Sequence, residues 1–181
     1  MAIVKIQRFR DALQKRWPEL KEPGLSTRSV TLAFIIFIVT PLSLEVMADR
    51  YPLGNISQGE LLERHEVFKR NYDAYEVSSG VDGLPADLEV KILFGTWCHD
   101  SEREVPRMLK LLAVSGVKED NIRLISLDIR KEEPEGRAKA LGVEYTPTFI
   151  FISEGIEVGR IIERPTVSLS DDISGIASAN R

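Results

Sequence analysis

The stretch from Glu89 to Leu112 restricts most strongly what this chain can fold into. Glu89-Val-Lys-Ile-Leu-Phe94 is a short, mostly apolar run that reads as a buried strand. From Cys98 onward the apolar residues recur at helical spacing instead, at Val105, Met108, Leu109, Leu111 and Leu112. Pro106 lies inside that stretch and predicts a bend, because it removes one backbone hydrogen bond. Ile122 to Leu127 reads as the next strand. Two strands separated by a helix fit a parallel pair joined by a crossover.

The flanking segments extend the pattern. Ser57-Gln-Gly-Glu60 has the spacing of a capping box, and Leu61, Leu62, His65, Phe68 and Tyr72 follow at near-helical intervals, predicting one amphipathic helix through Tyr75. Ser79 to Pro85 is a turn-rich connector. Gly136 to Leu141 reads as a short helix ending at Gly142. Phe149 to Ile152 and Glu157 to Ile162 read as two strands joined across Glu154-Gly155, and Ser168 or Ser170 opens a C-terminal helix. The charged run Arg130 to Glu135 is expected as a solvated loop. This order of elements predicts an α/β fold, a small mixed sheet with helices on both faces.

The first 48 residues differ in kind. They hold seven Lys/Arg against four Asp/Glu, whereas the remainder holds 17 against 24. Within them Val30 to Leu44 is uncharged and apolar, short for a bilayer span. The basic flank and the small-residue pattern before Asp49 fit a secretory signal cut after Ala48. An uncleaved anchor and a buried segment are the other readings, and either membrane reading sends the body out of the cytoplasm. The expected divisions are a leader with its signal or anchor over 1–48, an N-terminal helix and connector over 49–88, and the core over 89–181. No basic stripe survives outside the leader, so nucleic acid is not an expected partner.

Cys98 is the chain's one cysteine, and it sits where the strand gives way to the helix. A thiol at a helix N-terminus faces unpaired backbone N–H groups and the positive end of the helix dipole, which favour the nucleophilic thiolate. Asp100, Glu102 and Glu104 place negative charge nearby, with Arg103 and Arg107 to offset it. His99 adjoins the sulfur and is expected either to stabilise its charge when protonated or to be a solvated loop residue. Asp100 is expected to cap the helix or to take part in proton transfer, and Ser101 to donate a hydrogen bond to the sulfur or to serve simply at the helix start. His65 is expected to be a structural histidine. Cys98, His99 and Asp100 are consecutive and do not readily converge on one ion, so no metal is expected, and no cofactor motif is present.

Trp97-Cys98 at a strand end, Pro106 eight residues beyond the cysteine, and Tyr145-Thr-Pro-Thr148 ahead of an apolar strand together resemble the thioredoxin-like superfamily. The resemblance runs from Glu89 to the C-terminus. With the leader, the chain is most similar to envelope, periplasmic members that handle thiols. The resemblance implies a thioredoxin-like sheet, a cis proline at Pro147 beside the reactive sulfur, and a groove in which Trp97, Thr146 and Pro147 meet substrate. Two departures qualify it. Ser101 stands where the family's resolving cysteine would be, and Ile92 where thioredoxins carry a buried acid.

The resemblance therefore implies monothiol thiol–disulfide exchange. Cys98 would attack a disulfide in a protein or small molecule, and an external thiol would resolve the product. The alternative is a non-catalytic module that holds extended peptide in the same groove. A one-cysteine peroxidase is a third reading, disfavoured because residues 93–98 lack the Pro-x-x-x-Thr-x-x-Cys pattern of peroxiredoxins.

Overall fold

A computed structural model describes residues 52–179 of the chain; the leader and the apolar run over 30–44 lie outside them. Five strands form one mixed sheet: β1 (Gly54–Ile56), β2 (Glu89–Phe94), β3 (Ile122–Ser126), β4 (Thr148–Ser153) and β5 (Ile156–Ile162), in the spatial order β1-β3-β2-β4-β5. β2 and β3 are parallel, and the other three pairings are antiparallel. The helices are α1 (Gln58–Arg64), α2 (Glu66–Ala74), α3 (His99–Val114), α4 (Arg137–Ala140) and α5 (Leu169–Ala179). α3 is the crossover between the parallel strands. Pro106 is buried within it, and the helix continues past it to Val114.

Side-chain alternation divides the core in two. Val90, Ile92 and Phe94 of β2 face one side, where Phe68 of α2, Met108 and Leu109 of α3 and Ile173 of α5 close the larger core. Leu93 points the other way and meets Ile125, Ile150 and Ala138 of α4 in a smaller cluster. The β4–β5 turn places Glu154 and Gly155 at φ of 51° and 74°, which matches the right-handed twist of a two-residue hairpin. Asp87 accepts hydrogen bonds from the Ser153 hydroxyl and the Glu154 amide, pinning that turn to the entry of β2.

Three features differ from the expected layout. The single helix through Tyr75 is two helices, broken at His65, whose backbone is extended (φ −122°, ψ 92°). Ser57 does cap the first of them, accepting from the Glu60 amide at 3.1 Å. β1 is an additional strand, too short to show an alternating pattern, that pairs with the edge of β3. Within the charged loop, Glu133 is buried rather than solvated; its carboxylate accepts from the Glu135 and Arg137 amides and pairs with the Arg137 guanidinium. Among the described residues no helix is long and apolar enough to cross a membrane.

His65 packs edge-on against Phe68, ring centroids 5.9 Å apart. Burial, assisted by the Arg64 charge, holds the imidazole below its ordinary range. The unfolded chain therefore takes up that proton more readily than the folded one. The stability this contributes is fully present above the ordinary imidazole value and is lost as pH falls through the lowered one. Urea denaturation between about pH 5 and 8 should show stability declining on the acid side, with a shallower decline in His65→Gln. Equal slopes for the two proteins would contradict this role for the ring.

Candidate functional site

The site forms where the carboxyl end of β2 turns into α3. Gly95, Thr96 and Trp97 make the turn, closed by the Cys98 amide donating to the Gly95 carbonyl at 3.0 Å. Cys98 occupies the N-cap of α3 with extended backbone, and its carbonyl accepts from the Glu102 amide at 2.9 Å. The sulfur is half-buried. It lies 3.1 Å from the Thr146 carbonyl oxygen, to which the thiol donates. Thr146 and Pro147 are both buried, and the peptide between them is cis. The sequence thus brings together residues 48 positions apart, because β4 runs antiparallel beside β2 and begins level with its end.

Trp97 is 42% exposed, with its indole N–H donating to the Leu127 carbonyl at 3.0 Å. The Lys131 ammonium lies 5.9 Å from its ring centre. The ring lies over Gly95 so closely that a Cβ there would stand 2.5 Å from an indole carbon. Glycine is therefore required at 95 by the approach of a side chain two residues on. Ile129 and Tyr145 are also exposed, each one or two residues from a backbone oxygen that contacts Trp97 or the sulfur.

Two expected contacts are absent in the structure, and His99 is solvated. Ser101 does not donate to the sulfur; it is fully buried and its hydroxyl accepts from the Gly95 amide at 3.3 Å. Its contact organises the turn behind the cysteine. Asp100 does not cap α3, whose N-cap makes no side-chain bond, but pairs with Arg103 at 2.7 Å and lies 3.9 Å from Arg164. His99 is almost entirely exposed, and its Nδ1 faces Glu102 at 3.5 Å. Arg103 in turn reaches buried Glu104 at 2.6 Å, the bond that chiefly raises its proton affinity, and Arg107 joins Glu104 at 3.2 Å. Asp100 and Glu104 are thereby met by arginines of the same helix.

Asn71 was not a candidate from sequence. Its side-chain amide donates to the Glu102 carbonyl at 2.7 Å, tying α2 to the first turn of α3 across 31 residues. Nothing local distinguishes that asparagine from a solvated one. Among the described residues no group of three or more His, Cys, Asp or Glu side chains is placed to hold a metal ion.

No protein-family model and no curated protein matches the chain. Among solved structures, mitochondrial thioredoxin 3 of Saccharomyces cerevisiae is 24% identical, covering 65% of this chain and 89% of its own, with a TM-score of 0.36. Thioredoxin of Fasciola hepatica is 19% identical over 64% of this chain and 89% of its own, with a TM-score of 0.36. Thioredoxin O2 of Arabidopsis thaliana is 17% identical over 62% and 85%, with a TM-score of 0.38. The strand order and the flanking helices are those of a thioredoxin-like α/β fold.

Removing the Ser101 hydroxyl leaves the Gly95 amide buried without its acceptor, a cost of about 1–3 kcal/mol. Ser101→Ala should lower unfolding stability by that amount. Gly95→Ala should dislodge the indole, which would appear as a shift of the Trp97 Nε1 proton resonance away from its hydrogen-bonded position. An unmoved resonance would show that the ring is held by something other than its seat on Gly95.

Proposed function

We propose that this chain is a monothiol thiol–disulfide exchange protein acting outside the cytoplasm. The observation that supports this best is the placement of Cys98 Sγ, half-buried at the N-cap of a 16-residue helix and 3.1 Å from the Thr146 carbonyl. A helix N-terminus carries partial positive charge, which stabilises negative charge on a sulfur taking part in disulfide exchange. Trp97, Ile129 and Tyr145 offer exposed apolar surface to the partner that carries the disulfide.

The chemistry needs one sulfur here and two elsewhere. The Cys98 thiolate attacks one sulfur of a substrate R–S–S–R′, forming Cys98–S–S–R and expelling R′S⁻. An external thiolate then attacks the R sulfur, carries it away as a new disulfide and returns Cys98 as thiolate. Ser101 cannot perform that second attack, since a hydroxyl oxygen cannot take the place of a sulfur in a disulfide. The resolving thiol must come from a small molecule or a partner protein. No metal or cofactor takes part in these steps. Export of the body, by a cleaved signal or as an anchored domain, belongs to the same proposal and is supported by the apolar run over 30–44 with its basic flank.

The exposed apolar residues also favour a second reading, a peptide-holding module with no covalent step. The two separate cleanly. Intact-mass measurement of the protein isolated from its native compartment should find an adduct on Cys98 that disappears on reduction, and Cys98→Ser should abolish partner capture. Full capture by the serine variant would establish the binding module instead. Ser101→Cys should convert the mixed disulfide into an internal one by exchange, releasing the adduct as its thiol RSH and leaving the protein two hydrogen masses below its fully reduced form; a persisting adduct would mean that position 101 is out of reach.

A further inference from the structure

Among the described residues the smaller core leaves part of its sheet face uncovered, and that surface carries a cationic row. Since Val90 and Ile92 enter the larger core, Lys91 stands on the opposite face with Leu93. The parallel register puts Lys91 directly beside Arg123 of β3. Neighbouring strands lie about 4.8 Å apart, and like charges at paired positions destabilise a sheet. Neither side chain makes a hydrogen bond or ion pair among the described residues. α4 is four residues long and reaches only one end of this face.

Between α4 and strands β1 to β3 a cleft of about 730 Å³ remains, lined by Lys91, Arg123, Ile125, Arg137 and Leu141. The Arg137 guanidinium binds Asn55 and Glu133 through its terminal nitrogens, but its Nε is buried without a hydrogen-bond partner. Among the described residues of the cleft, Lys91 and Arg123 thus stand as the two unpaired cations over an apolar floor, since Arg137 is already matched by Glu133 and Glu135. Glu119 and Asp120 also line the cleft, both exposed. Solvent screens them as it screens exposed Arg123, so half-buried Lys91 is the least offset charge, and the acids oppose a long polyanion while leaving room for one anionic head.

We propose that this cleft binds an amphiphilic anion: a single carboxylate or phosphate held by Lys91 and Arg123, with an apolar body over Ile125 and Leu141. The proposal stands apart from Cys98, which lies at the far end of β2.

Calorimetric titration of the full chain with decanoate should show binding that decanol, its uncharged counterpart, does not reproduce. Lys91→Met and Arg123→Gln should each weaken decanoate binding by roughly tenfold. Decyl phosphate in place of decanoate distinguishes the two heads. Methyl resonances of Ile125 and Leu141 should shift on titration. Should Lys91→Met fail to fold by circular dichroism, Arg123→Gln decides alone, because that side chain is exposed. Equal affinity in the folded variants, equal binding of decanol, or shifts centred on Trp97 and Tyr145 would overturn the proposal. Disulfide-exchange rates at Cys98 should be unchanged in Arg123→Gln, which keeps this test independent of the redox proposal.

Discussion

The contact between the Cys98 sulfur and the Thr146 carbonyl joins two parts of the chain that nothing local brings together. It requires β2 to end where β4 begins, which the antiparallel register of Leu93 opposite Thr148 provides. It also requires α3 to start at Cys98, with the turn before it closed by the Gly95 carbonyl. The sheet is thus the positioning device, and the larger core that buries Ile92, Phe94, Met108 and Phe149 holds strand and helix in the one relation that brings the sulfur to this carbonyl.

The serine at 101 has a structural reason that does not depend on catalysis. A buried amide at Gly95 needs an acceptor, and the hydroxyl supplies it without bulk. Gly95 itself must lack a side chain to admit the Trp97 ring, and the ring is steered by its hydrogen bond to Leu127. Four neighbouring residues therefore constrain one another around a single thiol. The charges follow the same economy, since Asp100 and Glu104 face Arg103 and Arg107 along one helix.

Much of this was legible in the residues, and the reasons for the rest are specific. The strand over Glu89–Phe94, the helix after Cys98 and the hairpin at Glu154-Gly155 announce themselves because each has a strong local period or a turn that demands positive φ. The break at His65 is invisible to periodicity, because both halves keep the same apolar spacing across it. β1 has three residues and gains its pairing only from β3. At the site, the position of Cys98 followed from the strand-to-helix change, whereas the roles of Ser101, Asp100 and Asn71 depend on partners that spacing does not reveal: the Gly95 amide, the Arg103 and Arg164 side chains, and a carbonyl 31 residues away.

The central claim is that folding presents this thiol for attack on a disulfide. The most direct measurement compares the second-order rate at which Cys98 releases the coloured thiolate from an aromatic disulfide reagent in the native protein and in the same protein unfolded in urea. Faster release from the native state, one thiolate per chain, is the result predicted here. Slow or absent release from the native state, with full release on unfolding, would show that the fold hides the sulfur instead of presenting it.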